Sequence, residues 1–307
     1  MPDSYQAVAF SRYGDAEVLD LLELAVPEPG RGQVRIGVRA AAVNPIDWKT
    51  RSGALADVMP VELPHVPGID VAGVIEAVGE DTQGFSVGDE VLGKALAGSY
   101  AEKALARVDR IAAKPTELAW ELAAALPVAA TTAHHALDML NLTSGETLVI
   151  DGASGGVGTL AVQLARRRGA TVIGTASETN HNYLRSLGAT PVRYGTNLGE
   201  RIAAIGPGGV DAVLDTAGHG SLPELISLVG APDRVVTLAD FSAGQLGARF
   251  IAEEPGDMPA ILAEVAGLAA AGAITVPLTS YRLADSAAAH RASETGHVRG
   301  KLVLIPD

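Results

Sequence analysis

The sequence predicts an α/β chain, a doubly wound parallel sheet accompanied by a second, mainly-β domain. Three observations predict it. From residue 146 onward apolar strands alternate with amphipathic helices, the pattern of a parallel sheet covered on both faces. The first third carries short β-like runs separated by Gly, Pro and Asp, with little helical period between them. At 151–158 the stretch "DGASGGVG" places bare backbone between a strand and the start of a helix.

The elements follow in order. "YQAVAF", "QVRIGVRAAAV", "VAGVIEAVG", "DEVLG" and "SYAEKAL" read as strands of a compact, mostly antiparallel unit. Residues 117–140 turn Ala/Leu-rich and read as helix. "TLVI" opens the alternating part. The helix over 157–168 that follows carries Val157, Leu160, Ala161, Leu164 and Ala165 as one apolar stripe, with Arg168 at its polar end. Next come "TVIGTA", a helix near 181–187, "PVRY", a helix near 198–205, "VDAVLD", a short helix, "RVVTL" and a helix over 258–271. The tail from "ITVPLTSYRL" to "GKLVLIP" reads as strand, helix, strand and is placed with the first domain. The domains are expected at 1–122 with 276–307, and at 123–275.

Length and composition narrow the function. A chain of 307 residues suffices for two domains with their own cores. Lys and Arg total 23 against 36 Asp and Glu, a net charge of −13 that argues against a nucleic-acid or anionic-membrane partner. Cysteine is absent, so disulfides and thiolate metal sites are too. The opening "MPDSYQAVAF" has neither the basic nor the apolar region of a signal peptide. The longest apolar stretch, near 265–278, is interrupted by Gly267, Gly272 and Pro277. A cytoplasmic protein that does not touch the membrane is expected.

"ASGGVG" fits the dinucleotide fingerprint with Ala153 in place of the first glycine. Ser154, Gly155, Gly156, Val157 and Gly158 form the candidate phosphate loop. Gly155 lets the backbone approach a pyrophosphate, and Gly158 lets the helix pack on the strand. The free N–H groups of the helix start face the phosphates. At the end of the second strand stand Thr175, Ala176 and Ser177, small and neutral where an NAD enzyme carries an acid. That favours NADPH, although Glu178 follows directly and no Lys or Arg clamp is evident nearby. Ala217 with Gly218, and Leu238 to Asp240, follow later strand ends, where ligands of doubly wound sheets bind.

The chain resembles the zinc-free quinone oxidoreductase (zeta-crystallin-like) branch of the medium-chain dehydrogenase/reductase superfamily. The likeness rests on "AAAVNPIDWKTRSG", "VPGIDVAGVIEAVGEDTQGFSVGDEV", "GSYAE", "ALPVAATTAHHAL", the glycine loop, "LRSLGATPVRYG", "VDAVLDTAG" and "GHVRGKLVL". It implies a GroES-like domain followed by a Rossmann domain, with nicotinamide and substrate in the cleft between them. It also implies a homodimer formed through the Rossmann sheet, and hydride transfer from NADPH to a quinone or an activated carbon–carbon double bond.

Zinc-dependent relatives have Cys where this chain has Asn44 and a His-Glu pair where it has Ile69-Asp70, so no metal is expected. His65 is read as a loop or packing residue. Without a Lewis acid, positioning and hydrogen-bond donors must serve the substrate carbonyl. The resemblance assigns Asn44 to orienting substrate or nicotinamide, alongside its alternative as an Asx turn before Pro45. For Lys49 two readings stand, a donor to the carbonyl or a solvated lysine. Thr132 is implied at the nicotinamide side, or as a helix threonine bonded to the carbonyl behind it. His134 is a relay candidate or a structural residue, and Asp47 caps or anchors its helix. Ser177, Asn180 and Tyr194 fall where relatives contact the 2′-phosphate. Lys301 is read as leaning toward the pyrophosphate or standing on an exposed strand end. His290 is read as surface or packing.

The leading expectation is an NADPH-dependent quinone reductase. The alternatives are an NADPH-dependent enone or enoyl reductase, which needs a proton delivered to carbon, and a non-catalytic NADPH-binding protein.

Overall fold

The computed structural model describes residues 4–205 and 208–307; residues 1–3, which open the N-terminal stretch, and 206–207 lie outside it. Along the chain run β1 (Ser4–Phe10), β2 (Leu19–Ala25), β3 (Gln33–Val43), α1 (Pro45–Ser52), β4 (Asp70–Val78), β5 (Glu90–Ala97) and β6 (Lys103–Ala113). Two helices follow, α2 (Trp120–Ala125) and α3 (Pro127–Met139). The alternating part comprises β7 (Thr147–Asp151), α4 (Gly156–Arg167), β8 (Thr171–Ala176), α5 (His181–Ser186), β9 (Thr190–Arg193), α6 (Leu198–Ile205), β10 (Ala212–Asp215), α7 (Leu222–Val229), β11 (Val235–Thr237) and β12 (Arg249–Phe250). The chain closes with α8 (Met258–Ala270), β13 (Leu278–Arg282), α9 (Ser286–Glu294) and β14 (Lys301–Ile305).

Two compact units emerge, one of residues 1–128 with 257–307 and one of 129–256. The expected boundaries at 122/123 and 275/276 differ mainly by α8. That helix packs Met258 and Leu262 on Ala112 of β6, so its apolar face is buried in the first unit. The Ala/Leu-rich stretch is two helices rather than one, broken at Leu126 before Pro127, whose ring cannot donate within a helix. The run "SYAEKAL" supplies only the start of β6. The rest of that strand is masked in the sequence by charges on its outer face, Arg107 and Asp109, while Ile111 and Ala112 turn inward.

The first unit's sheet runs β13-β14-β3-β4-β5-β6, and β6 also pairs with β3, so the antiparallel strands close on themselves. Val34, Ile36 and Val38 alternate inward along β3 and meet Val71, Ile75, Val91 and Ile111 in one core. The tail does return here, since β14 pairs antiparallel with β3.

The second unit holds a parallel sheet ordered β12-β11-β10-β7-β8-β9. The order reverses between β7 and β10, which makes a crevice at the carboxyl ends of those strands. Val149, Ile173, Val213 and Val235 form its core with Leu222 and Leu225 of α7.

Candidate active site

Adjacent strands of the first unit bring three polar side chains to one point. Asn44 follows β3 directly and caps α1, Asp70 opens β4 and Lys301 opens β14, and strand pairing sets Ala42 opposite Asp70 and Val43 opposite Leu302. The Lys301 ammonium donates to Asn44 Oδ1 at 2.7 Å and to Asp70 Oδ2 at 3.0 Å. Asn44 Nδ2 donates to the same carboxylate oxygen at 2.9 Å. Asp70 Oδ1 accepts the backbone N–H of Val128, in the first turn of α3, at 2.7 Å. Asp70 is 0% exposed and Lys301 5%, so the charges are taken out of water together. The amide of Asn44 is thereby oriented: its oxygen is engaged by a cation, and one N–H by a carboxylate.

A second buried chain starts one turn along. Asp47, in the first turn of α1, accepts the Asn44 backbone N–H at 2.8 Å and the Tyr100 hydroxyl at 2.9 Å. His290 Nε2, on α9, lies 3.2 Å from that hydroxyl oxygen, and its Nδ1 has no partner among the described residues. Burial pushes the Asp47 carboxyl up to about 7, against the pull of the Asn44 N–H and the Tyr100 hydroxyl. Burial, helped by Arg51, holds His290 down at about 3. The Tyr100 hydroxyl is raised by burial and by Asp47. With His290 neutral and the Tyr100 proton donated to Asp47, Nε2 carries the ring proton and donates to Tyr100. Arg51, 1% exposed, anchors α1 through the carbonyl of Gly14 at 3.1 Å and through Glu294 of α9.

In the second unit the glycine loop is built for close packing. Gly152 has φ +78°, a left-handed turn that glycine favours. A Cβ on Gly158 would stand 2.3 Å from the Gly152 carbonyl oxygen and 2.7 Å from Ala153 Cα, so α4 lies against the loop only because that position is bare. Gly155 caps α4 without a side-chain hydrogen bond, and the first intrahelical bond runs from Thr159 to Gly155. The N–H groups of Gly156, Val157 and Gly158 thus have no acceptor in the helix. This uncapped positive end at the strand-order reversal fits a pyrophosphate.

Neighbouring loops are braced around that end. Thr175 donates its hydroxyl to Asp151 and accepts the Gly152 N–H at 3.0 Å. Ser221 donates to Asp151 Oδ2 at 2.5 Å. Asp215 Oδ1 accepts the N–H groups of Ala217 and Gly218 at 2.9 and 3.0 Å, and its Oδ2 accepts the Thr237 hydroxyl at 2.8 Å. Thr237 Oγ1 in turn accepts the N–H groups of Ala239 and Asp240, both at 3.1 Å. The backbones of 217–218 and 238–240 are therefore fixed by two buried side chains.

The expected site residues fall as follows. Ser154, Ser177 and Asn180 come together, the Asn180 amide donating to both hydroxyls at 3.3 Å. Tyr194 is nearby in sequence to β9 and 46% exposed. The Asp240 carboxyl is held below its usual range by the Ser242 hydroxyl and N–H, so it faces its own turn. Ala217 and Leu238 are half-buried on the braced loops. Thr132 is half-buried on α3 in the second unit. Lys49 stays outside the polar network, its ammonium 5.7 Å from the centre of the Trp48 ring. His134 pairs with Asp138 one turn along at 2.9 Å, and His65 packs edge-on against Phe10.

The structure decides the readings left open for Lys301 and His290. Lys301, expected to lean toward the pyrophosphate or to stand on an exposed strand end, does not stand exposed: pairing of β14 with β3 buries it, and its ammonium is engaged by Asn44 and Asp70. For His290, read as surface or packing, the second reading holds: it is 0% exposed and a hydrogen-bonded member of the buried chain. Reasoning from sequence missed Asp70 and Tyr100 as members of these networks. A signal existed for Asp70 and Lys301, each a lone charge at the mouth of an apolar run, "GIDVAG" and "GKLVLI".

Comparison with known proteins places these features in context. Residues 30–116 match the family described as alcohol dehydrogenase GroES-like domain, and residues 187–304 the one described as zinc-binding dehydrogenase. The chain is 34% identical over 319 residues to the 2-methylene-furan-3-one reductase of Solanum lycopersicum, spanning 100% of this chain and 80% of that protein. The solved quinone oxidoreductase from Coxiella burnetii matches with a TM-score of 0.89 at 32% identity over 99% of both chains. Escherichia coli quinone oxidoreductase complexed with NADPH matches with a TM-score of 0.88 at 25% identity, over 98% of this chain and 100% of that one.

Proposed function

This chain belongs to the quinone oxidoreductase branch of the medium-chain dehydrogenase/reductase superfamily, and from that premise we propose that it is an NADPH-dependent, zinc-independent quinone reductase. The observation that carries the reading is the Lys301–Asn44–Asp70 triad. With its oxygen and one N–H engaged, Asn44 keeps a single amide N–H for a substrate, and a rigid donor suits a carbonyl oxygen that gains negative charge. Lys301 adds a positive charge directly behind that amide. Zinc independence is supported by the donor set, since the relevant positions hold Asn44 and Ile69 and the Asp70 carboxylate already faces Lys301.

A nicotinamide dinucleotide, when bound, supplies the hydride. The N–H groups of Gly156, Val157 and Gly158 would hold its pyrophosphate, Ser177 and Asn180 the adenosine ribose, and the loops at Ala217 and Leu238 its nicotinamide side. Asn44 orients the acceptor carbonyl, with Thr132 and Lys49 as further candidates for substrate contact. NADPH rather than NADH is supported by the neutral residues 175–177 and by the Escherichia coli relative, which binds NADPH.

We also propose a homodimer acting in the cytoplasm on small molecules. β12 is the edge strand of the parallel sheet, and Phe241, 76% exposed, stacks 5.1 Å from Phe250 of that strand. An open edge beside an exposed aromatic favours strand pairing with a second copy. No helix among the described residues is long and apolar enough to cross a membrane.

The enone reductase remains the second reading, favoured by the tomato relative that spans the whole chain. NADPH oxidation is to be followed with benzoquinones and naphthoquinones against α,β-unsaturated ketones, with NADH as the control. Turnover on quinones together with a loss of about 10²-fold in Asn44→Ala supports the proposal. Turnover on enones alone transfers the assignment to the second reading. Tight NADPH binding with no turnover on either class points to the non-catalytic alternative.

A further inference from the structure

We infer that Arg193 holds the 2′-phosphate of the dinucleotide and that its ion pair with Glu178 sets the preference for NADP(H) over NAD(H). The inference deepens the reductase reading and rests on it. In a doubly wound sheet the adenosine ribose lies at the carboxyl end of the second strand, here β8. Ala176 is the last residue of β8, and parallel pairing sets it opposite Arg193, the last residue of β9. The guanidinium reaches across to the turn that follows β8, with Nη1 3.3 Å from Glu178 Oε1. A cation seventeen positions away in sequence from Ala176 is thereby brought to the turn that carries Ser177, Glu178 and Asn180.

The backbone that carries Arg193 is fixed. Arg201 of α6 donates to the carbonyls of Arg193 at 2.8 Å and Gly195 at 3.0 Å, and to that of Thr196. Arg201 is thereby committed to holding the turn, whereas the Arg193 side chain is 67% exposed and its Glu178 partner 70%. An exposed pair of this kind is weak and screened by salt. A phosphate dianion offers an arginine fork a stronger, bidentate partner and displaces the carboxylate.

Glu178 is the counterweight. It follows Gly158 by about 20 residues, the spacing at which an acidic side chain accepts the ribose hydroxyls of NAD. The ion pair therefore joins the two groups that select opposite cofactors. Neutralising either one shifts the choice in a foreseeable direction.

The test is calorimetric binding of NADP+ and NAD+ to the full chain, in the wild type, Arg193→Ala and Glu178→Gln. Expected are tighter NADP+ than NAD+ binding in the wild type and a loss of about tenfold in NADP+ affinity in Arg193→Ala. NAD+ affinity should stay unchanged in that variant, which also shows that the fold is intact. Glu178→Gln should raise the ratio of NADP+ to NAD+ affinity. Equal losses for both nucleotides, or none, in Arg193→Ala would overturn the assignment while leaving the reductase reading in place. Preference of the wild type for NAD+ would overturn it together with the NADPH dependence proposed above, and would leave only the nicotinamide-dependent reductase reading. Failure of the wild type to bind either nucleotide would remove both.

Discussion

Asp47 and His290 exchange a proton when the first unit unfolds, and single substitutions should expose it. Asp47 titrates at about 7 in the folded chain against an ordinary 3.8, and His290 at about 3 against 6.5. Near pH 5 the folded chain therefore holds a protonated Asp47 and a neutral His290, and the unfolded chain the reverse. Alone, Asp47 stabilises most at low pH, and its contribution is lost as pH rises toward 7. His290 alone contributes fully above 6.5 and less as pH falls toward 3. The two slopes are opposite, each about 1.4 kcal/mol per pH unit, so together they cancel between about pH 4.5 and 6.5. Over that window Asp47→Asn should gain about 3 kcal/mol relative to wild type as pH rises, and His290→Gln should lose a similar amount.

Urea unfolding of the three proteins across the window is the assay, and the differences between curves are the readout. Asp70, Lys301 and Tyr100, which face Asp47, and Arg51 and Tyr100, which face His290, are present in every protein compared. A constant offset from wild type in both variants, with no change of slope, would refute the reasoning. It would mean that Asp47 is ionised in the fold and that His290 is protonated there.

Other expectations follow from single contacts. Gly158→Ala forces α4 away from the Gly152 carbonyl and should abolish NADPH binding, measured by fluorescence titration, while circular dichroism stays that of the folded chain. Lys301→Met leaves the Asp70 carboxylate buried without a cation and Asn44 Oδ1 without a donor. It should lower stability in urea by about 3–5 kcal/mol, and adding Asp70→Asn should recover much of that. Phe241→Asp should halve the mass found by sedimentation equilibrium without lowering the melting temperature, because that ring is exposed in the single chain.

How much of this was legible in the sequence depends on the range of the interaction. Strand-and-helix alternation, the glycine loop and the stripe of α4 are written in neighbouring residues, because periodicity and turn chemistry act over a few positions. Asn44 stood out through the resemblance, by its place in "VNPID". The charged run of β6 hid its inward-facing residues, and α8 reads with the second unit because it continues the strand-and-helix alternation. Its burial is decided by Met258 and Leu262 meeting Ala112 of β6, a contact far away in sequence.

The sequence by itself determined the class of fold, the place of the glycine loop between a strand and a helix, and the lack of cysteine for a thiolate metal site. Only the tertiary structure decided what surrounds each site. Lys301 meets Asn44 across 257 positions because β14 pairs with β3, and Arg193 meets Glu178 because β9 pairs with β8. The physical reason is that strand pairing joins backbones by hydrogen bonds common to all residues, so the side chains it brings into contact leave no local pattern.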